Sequence, residues 1–197
     1  MIEKMTKSWV ERMIRTGIIE KERAPLYAFG MEQGLRTLLE MVLMLVTGIV
    51  FGLFWQGAVM MTVFCLIRVY AGGYHAKTPM QCAVKSWLMF TAFLLWLRFG
   101  PSVLFVELGI IAAAGICLLF VCPLPDEHKP LQDYEIPKYR KRSLLIYLVE
   151  VVLYITGRVV RADSLSRSIA CGMGMLLVVW GVYIVQHWWK NKKRDKN

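Results

Sequence analysis

The chain has 197 residues, of which 57% are hydrophobic, and it carries a formal net charge of +10. Soluble domains are typically about 45–50% apolar, so this excess, arranged in long runs, argues against an ordinary soluble domain and predicts an all-α polytopic membrane bundle. Lys and Arg collect on the cytoplasmic side of membrane spans, so the charge does not require nucleic acid as a partner, and none is expected.

Cysteine spacing excludes two further classes of protein. The five cysteines form no CxxC pair, so neither a disulfide framework nor a zinc site is expected, and the sequence predicts no metal or cofactor. Three of them lie within apolar runs, where a cysteine usually serves as a small hydrophobic residue. The five are Cys65, Cys82, Cys117, Cys122 and Cys171.

The first 24 residues predict an amphipathic helix. Apolar residues recur from Ile2 to Ile18, mostly at intervals of three and four, with basic residues between them. Such a helix either lies on the anionic inner leaflet or packs on the rest of the protein, and the sequence leaves both open. Pro25 is expected to end this helix or to mark a break.

Six apolar runs follow and predict about six transmembrane or partly re-entrant helices within a single membrane domain, residues 1–197. The second and fifth are short for crossing about 30 Å of hydrocarbon, so either could be re-entrant. Trp55 to Gly57 are expected to join the first two runs. The expected bounds are 35–54, 57–70, 82–99, 103–121, 143–157 and 169–189.

The distribution of basic residues predicts the topology. With six spans, most of the 24 Lys and Arg residues fall on the side that holds both termini. That side also takes the loop 68–85, the Pro-rich and basic loop 122–142 and the basic tail 190–197. By the positive-inside rule this side is cytoplasmic. Arg158, Arg161 and Arg167, which fall on the other side, are the exception.

The segment from Arg68 to Cys82 places polar, chemistry-bearing residues between two apolar runs. His75 and Cys82 are seven residues apart, about 10 Å along an unbroken helix and too far for a hydrogen bond. Thr78 is a favoured N-cap and Pro79 suits the first helical position, so a helix beginning there puts Cys82 in its first turn. The preceding chain is then free to fold back toward the sulfur.

Flanking residues support this interpretation of the segment. Gln81 is able to complete a capping box with Thr78, and Gly72-Gly73 gives the chain before the cap its conformational freedom. First-turn backbone N–H groups are candidate donors to an oxyanion.

A cysteine at a helix N-terminus next to a histidine is suited to nucleophilic catalysis. Cys82 is the strongest nucleophile available and His75 is its natural base. The helix N-terminus and the cations Lys77 and Lys85 favour a thiolate. The alternative is that Cys82 is a structural thiol and His75 a surface residue, and spacing alone does not decide between them.

Two carboxylates are further candidates for the site. Glu40 and Glu150 lie within apolar runs, where an ionisable group is costly and needs a partner. Either could orient His75 or pair with Arg68 or Lys85, and the sequence does not choose between them.

The order Arg68-x3-Gly72-Gly73-x-His75-Ala76, followed by Cys82, resembles the signature of the accessory gene regulator B (AgrB) family. The second loop resembles the Pro-rich, Lys-Pro loop of that family, although His128 stands where Asn is expected. This loop contains Pro123-x-Pro125 and then His128-Lys129-Pro130-Leu131.

This resemblance implies a cysteine endopeptidase in the cell membrane of a Gram-positive bacterium. Such an enzyme cuts an AgrD-like propeptide through a thioester on Cys82, with His75 as activator, and promotes thiolactone closure of the autoinducing peptide used in quorum sensing. The resemblance also implies a homodimer. Arg68 then positions the acidic C-terminal segment of the substrate or orients the loop, or it serves only as a cytoplasmic anchor of the topology.

Two other classes of function compete with the peptidase. A small membrane peptide transporter or exporter without peptidase activity would also use several spans and intramembrane carboxylates. A membrane scaffold that binds a partner kinase would need neither His75 nor Cys82. No internal repeat is evident, which weighs against the transporter.

Overall fold

The computed structural model describes residues 2–73, 78–124 and 134–194. These residues form α-helices joined by short connections, and no strand occurs among them, which confirms the predicted all-α bundle. A short 3-10 turn, Lys21–Arg23, precedes the second helix. The helices are α1 (Ile2–Arg15), α2 (Ala24–Val50), α3 (Phe54–Ala71), α4 (Pro79–Phe99), α5 (Leu104–Phe120), α6 (Glu135–Val159) and α7 (Asp163–Arg194).

Helices α2 to α7 overlap the six predicted apolar runs, but α2 begins at Ala24 and α6 at Glu135, ahead of the predicted starts at 35 and 143. Four segments of the described chain are long and apolar enough to cross a bilayer: Lys21–Val50, Phe54–Ala71, Met80–Phe99 and Asp163–Trp189. Helix α5 is apolar but has 17 residues, and α6 has 25 residues but begins with a basic cluster. The 18 residues of α3 rise about 27 Å, close to the hydrocarbon thickness, although its apolar run had looked short.

The chain divides into two compact units, residues 1–46 and residues 47–197. In the first unit, α1 ends at Arg15, so Pro25 does not end this helix but follows the break between α1 and α2. Gly17 adopts φ +70°, its N–H donates to the Ile14 carbonyl, and the Ile18 N–H donates to the Met13 carbonyl. This pair of bonds is a Schellman motif, in which a glycine with positive φ stops the helix. Pro25 lies instead in the first turn of α2, where its missing N–H costs nothing.

The turn between α2 and α3 also differs from the predicted one. It lies at residues 51–53, whereas Trp55 and Gly57 belong to α3. Gly52 adopts φ +67°, and the Leu53 N–H donates to the Gly48 carbonyl at 2.8 Å, so a second Schellman motif ends α2.

Helix α7 is the central element of the second unit. It packs against α3, α4, α5 and α6, and its middle section is buried. At Gly172 the helix approaches α3 closely, because an added Cβ would lie 2.7 Å from Val63 Cγ1 and 2.8 Å from the Met60 carbonyl oxygen. The buried core shared by α3, α5, α6 and α7 includes Val63, Ile67, Ile111, Leu118, Tyr154, Met173, Leu176 and Trp180.

Arginine side chains bind backbone carbonyls at one end of the second unit, which we call the Gly100 end. Arg98 Nη1 donates to the Phe51 carbonyl, just beyond α2. Arg167 Nη2 donates to the Gly100 carbonyl at 2.9 Å, just beyond α4. Helix C-termini leave carbonyls without a hydrogen-bond donor and attract cations. Each arginine supplies both the donor and the positive charge. Arg167 was one of the exceptions to the basic-residue asymmetry, and this contact gives it a structural reason.

Side-chain contacts also tie α5, α6 and α7 together at the Gly100 end. Arg158 pairs with Asp163 at 2.7 Å across the turn between α6 and α7. The buried Tyr154 hydroxyl donates to Glu107 Oε2 at 2.9 Å, and Ser102 Oγ lies 3.3 Å from the other carboxylate oxygen. Glu107 is therefore a structural carboxylate that joins two helices.

We expect Gly172→Ala to lower the unfolding temperature, because the added methyl group collides with α3. Overpacking of this kind typically costs about 1–3 kcal/mol. Gly109→Ala is the matched control, since Gly109 is also helical and its added Cβ would meet nothing within 4 Å. Circular dichroism of the purified protein in detergent measures both variants. Unfolding of Gly172→Ala at the wild-type temperature would contradict the α3–α7 contact.

Candidate active site

Two glycines follow the last turn of α3 and place the chain against neighbouring elements. Gly72 caps the helix with φ +70° and ψ −158°, and its N–H donates to the Arg68 carbonyl at 3.0 Å. A Cβ on Gly72 would overlap the Leu124 carbonyl oxygen. Gly73 has φ +140°, and its Cβ would lie 2.8 Å from both Arg68 Nη1 and Val179 Cγ1. Both positions therefore require glycine, for backbone conformation and for space.

The second loop pairs its backbone with this glycine turn. The Leu124 N–H donates to the Ala71 carbonyl at 2.9 Å, and Gly72 and Leu124 form an isolated parallel bridge. Arg140, at the start of α6, donates through Nε to the Cys122 carbonyl at 2.9 Å. Two loops that are about fifty residues apart in sequence are thereby joined.

Trp180 of α7 contacts the same turn from the core side. Its indole Nε1 donates to the Gly72 carbonyl at 3.3 Å. A Cβ on Gly73 would lie 3.4 Å from Trp180 Cδ1. Helices α3 and α7 and the second loop thus converge on Gly72 and Gly73, and we call this part of the bundle the Gly72 end.

Basic residues of α6 gather at the Gly72 end. The Tyr70 and Tyr139 rings meet edge to face with centroids 5.9 Å apart. Arg142 lies over the Tyr70 ring at 5.5 Å from its centroid, and Arg68 lies 5.6 Å from the Phe64 centroid. Cation–π contacts of this kind hold guanidinium groups at defined places. The arrangement brings positive charge to the end of α3, from which the Arg68–Lys85 segment continues.

The predicted start of α4 is confirmed. The helix begins at Pro79, and the N-cap Thr78 accepts a hydrogen bond at Oγ1 from the Gln81 N–H at 3.3 Å. The Cys82 N–H donates to the Thr78 carbonyl at 3.1 Å. Cys82 therefore lies in the first turn of a capped helix, with a half-buried side chain.

The other predicted site residues are distributed unevenly. Arg68, Gly72 and Gly73 lie together at the Gly72 end, and Lys85 is exposed one turn beyond Cys82. His75 and Lys77 lie outside the described residues, so the distance from His75 to Cys82 stays a prediction.

The two carboxylates lie on other elements. Glu40 is half-buried in the unit of residues 1–46. Glu150 is 3% exposed on α6, and its carboxylate has no hydrogen-bond partner among the described residues. It lies eight residues, about 12 Å, along the helix from Arg142. The predicted orienting role of both residues stays a prediction.

Three contact residues escaped the sequence analysis: Leu124, Arg140 and Trp180. Leu124 and Trp180 look like apolar residues of a loop and a span, and Arg140 looks like part of a charge cluster. The available signal was the indole of Trp180, because a buried Trp N–H usually needs an acceptor.

The protein family follows from comparisons with known proteins. The family model of accessory gene regulator B (AgrB) matches residues 3–185. The chain belongs to the AgrB family. Membership places it in the accessory gene regulator system and gives it a role in quorum sensing. The AgrB family is known for processing the AgrD propeptide, which indicates an enzyme, and together with the apolar helices it indicates a membrane protein.

Named relatives agree with the AgrB family. An AgrB-like protein 2 of Clostridium perfringens (strain 13 / Type A) is 23% identical over 194 residues, which cover 92% of this chain and 88% of the relative. An AgrB-like protein of C. perfringens (strain SM101 / Type A) is 21% identical over the same shares. Accessory gene regulator protein B of Staphylococcus haemolyticus (strain JCSC1435) is 26% identical over 93 residues, 47% of this chain and 48% of that protein. No solved structure matches.

We expect Thr78→Ala to expose the first turn of α4 to exchange, because it removes the acceptor of the Gln81 N–H. Loss of an N-cap typically costs about 0.5–2 kcal/mol. Hydrogen exchange of a peptide containing residues 78–85 measures the effect. Thr78→Ser keeps the hydroxyl and should exchange like the wild type. Equal exchange in all three proteins would contradict the cap.

We expect thiol reagents to distinguish Cys82 from Cys122. Cys122 is 0% exposed, and burial raises the pKa of its thiol to about 12. A thiol with that pKa is ionised in only about one molecule in 10⁴ at pH 8, and only the thiolate reacts. Iodoacetamide labelling of the folded protein at pH 7–8, mapped by mass spectrometry, should modify Cys82 and spare Cys122. Labelling of Cys122 at the rate of Cys82 would contradict this burial.

Proposed function

We propose that this chain is a membrane-embedded cysteine endopeptidase that cleaves an AgrD-like propeptide and promotes thiolactone closure of the autoinducing peptide. The observation that carries the proposal is Cys82 in the first turn of a Thr78-capped helix, within a chain of the AgrB family. A helix N-terminus presents the positive end of the dipole, where an anionic sulfur is well placed.

In the proposed first step the Cys82 sulfur attacks the scissile carbonyl carbon. His75 takes the thiol proton and returns it to the leaving amine as the C–N bond breaks. The products are a thioester between the N-terminal fragment and Cys82, and a free C-terminal fragment with a new amino group. The proton removed from the thiol is the proton given to the leaving amine, so the step needs no cofactor.

In the second step a cysteine of the bound fragment attacks the thioester carbonyl. A new carbon–sulfur bond closes the ring, the bond to Cys82 breaks, and the proton of the substrate thiol passes through His75 to the Cys82 sulfur. The enzyme thioester and the thiolactone are both thioesters and have nearly equal free energies. The acyl group therefore stays activated when it passes from one sulfur to the other. Restricting water at a membrane site protects that thioester from hydrolysis.

One backbone donor of α4 is suited to the oxyanion of both steps. The N–H groups of Gln81 and Cys82 are already engaged with Thr78, and Pro79 has none. Met80 supplies the remaining N–H of this first turn. We assign it to the oxyanion that develops on the attacked carbonyl.

Charge at the Gly72 end suits an acidic substrate segment. Arg68 lies at the end of α3, and Lys77 and Lys85 flank the nucleophile in sequence. In this proposal the three cations hold the C-terminal segment of the propeptide, while Gly72 and Gly73 allow the segment that carries His75 to fold back. The active site and both termini face the cytoplasm, following the asymmetry of basic residues, and the protein forms a homodimer as the family resemblance implies.

We expect Cys82→Ser and His75→Ala each to abolish cleavage of a co-expressed, C-terminally tagged AgrD-like propeptide, because each removes one half of the nucleophile–base pair. Immunoblotting of the tag measures cleavage, and membrane fractionation with a tag on the enzyme shows equal insertion. Cys65→Ala is the control, since Cys65 lies within α3 and takes no part in the proposed step. Cleavage by Cys82→Ala would disprove the peptidase.

Mass spectrometry separates the peptidase from a transporter. A propeptide fragment on the tryptic peptide 78–85, released by neutral hydroxylamine, identifies the thioester on Cys82. A transporter would export the peptide uncut and carry no such adduct. Inward-facing topology requires that a membrane-impermeant thiol reagent label Cys82 in inverted vesicles and not in intact cells.

A further inference from the structure

The large side chain of Trp180 makes one polar contact, at the Gly72 end. It is 1% exposed, and its one polar atom donates to the Gly72 carbonyl. That carbonyl follows the C-terminus of α3, where helical carbonyls lack partners within the helix. A buried indole N–H and a carbonyl beyond a helix end both need a partner, so the contact holds Gly72 at a fixed place on α7.

The short chain between Gly73 and His75 limits the distance between these two residues. Two peptide units separate Gly73 from His75, so at most about 7 Å of chain joins their Cα atoms. Five units separate Gly73 from the cap at Thr78, at most about 18 Å of chain. With tethers this short, the position of Gly73 on α7 limits where the imidazole can go.

Helix α7 also holds the helix that carries Cys82. Gly174 packs against Phe93 of α4, since a Cβ at Gly174 would lie 2.8 Å from the ring. Phe93 and Cys82 are eleven residues apart, three helical turns to within about 20°, so they lie on the same face of α4. The helix that carries the proposed nucleophile and the loop that leads to the proposed base therefore both pack against α7.

We propose that Trp180 is a positioning residue for the Cys82–His75 pair, acting through the Gly72 carbonyl and the Gly73 contact to set the base relative to the nucleophile. This rests on the proposed function, in which His75 activates Cys82. The role assigned to Trp180 is to act through the backbone of Gly72 and Gly73. Its indole N–H is the specific element, because the ring alone would pack but would not fix the carbonyl.

Alkylation of Cys82 by iodoacetamide tests the positioning role in the intact membrane protein. Trp180→Phe keeps an aromatic ring and removes the N–H. It should slow Cys82 alkylation at least about fivefold, toward the rate of His75→Ala, and lower propeptide cleavage at least about tenfold. Mere loosening of the fold would do the opposite, because unfolding exposes thiols. Buried Cys122, measured in the same sample, reports such loosening and should stay unlabelled.

Tyr147→Phe is the matched control. It also removes a side-chain donor to a backbone carbonyl, the 2.9 Å bond from the Tyr147 hydroxyl to Ile111, but between α6 and α5. It should keep wild-type alkylation and cleavage. If Trp180→Phe fails to fold, Gly73→Ala tests the same contact from the loop side, because its methyl group collides with Val179 and with the end of the Arg68 side chain while the indole remains. Gly73→Ala should then slow Cys82 alkylation to the same extent.

Three outcomes would count against the positioning role. It is overturned if Trp180→Phe, or the folded Gly73→Ala, alkylates and cleaves within about twofold of wild type while His75→Ala is inactive. It is also overturned if Trp180→Phe raises labelling of Cys82 and Cys122 together. If His75→Ala itself behaves like the wild type in both assays, the proposed pair is wrong, and the role of Trp180 falls with it.

Discussion

The pairing of Gly72 with Leu124 is the constraint on which the Gly72 end depends. It is a backbone contact, so the side chain of Leu124 does not decide it, and it forms only because Gly72 leaves room for the Leu124 carbonyl. Through it the end of α3 is joined to the chain leaving α5, which Arg140 in turn binds to α6. One missing Cβ therefore allows three helices to meet where the proposed catalytic segment begins.

Local signals in the sequence were sufficient for the helices and for the start of α4. The order Thr78, Pro79, Gln81 needs no distant partner, because an N-cap, a proline at the first position and a nearby N–H lie within one turn. Helix ends were harder to predict. Gly17 and Gly52 stop α1 and α2 through positive φ, but a glycine beside an apolar run also occurs inside helices.

Contacts between distant residues were beyond the sequence, and the Gly100 end shows why. When basic residues are counted on each side of the membrane, Arg158 and Arg167 fall on the wrong side, because the count treats each arginine as a surface cation without a partner. In the structure Arg167 binds the Gly100 carbonyl and Arg158 pairs with Asp163. These partners depend on which helix ends lie side by side, as does the pairing of Trp180 with Gly72. The residue type determines whether a side chain needs a hydrogen-bond or ion-pair partner. The tertiary fold determines which group is that partner.

Helix α4 has fully buried side chains only toward its C-terminal end, and this asymmetry suits the proposed acyl transfer. Phe90, Leu94 and Leu97 are buried, whereas none of residues 80–89 is. The end that carries Cys82 is therefore held by its cap, by the chain from Gly73 and by the bond from the Trp87 indole N–H to Thr47 Oγ1 at 3.0 Å, and not by a surrounding core. A nucleophile for a peptide must be reached by a bulky carbonyl and later by a second thiol, which a closed core would prevent. In the proposed mechanism the Cys82 sulfur has to be approached while His75 is held in place, so accessibility at Cys82 and firm anchoring at Gly72 are complementary requirements.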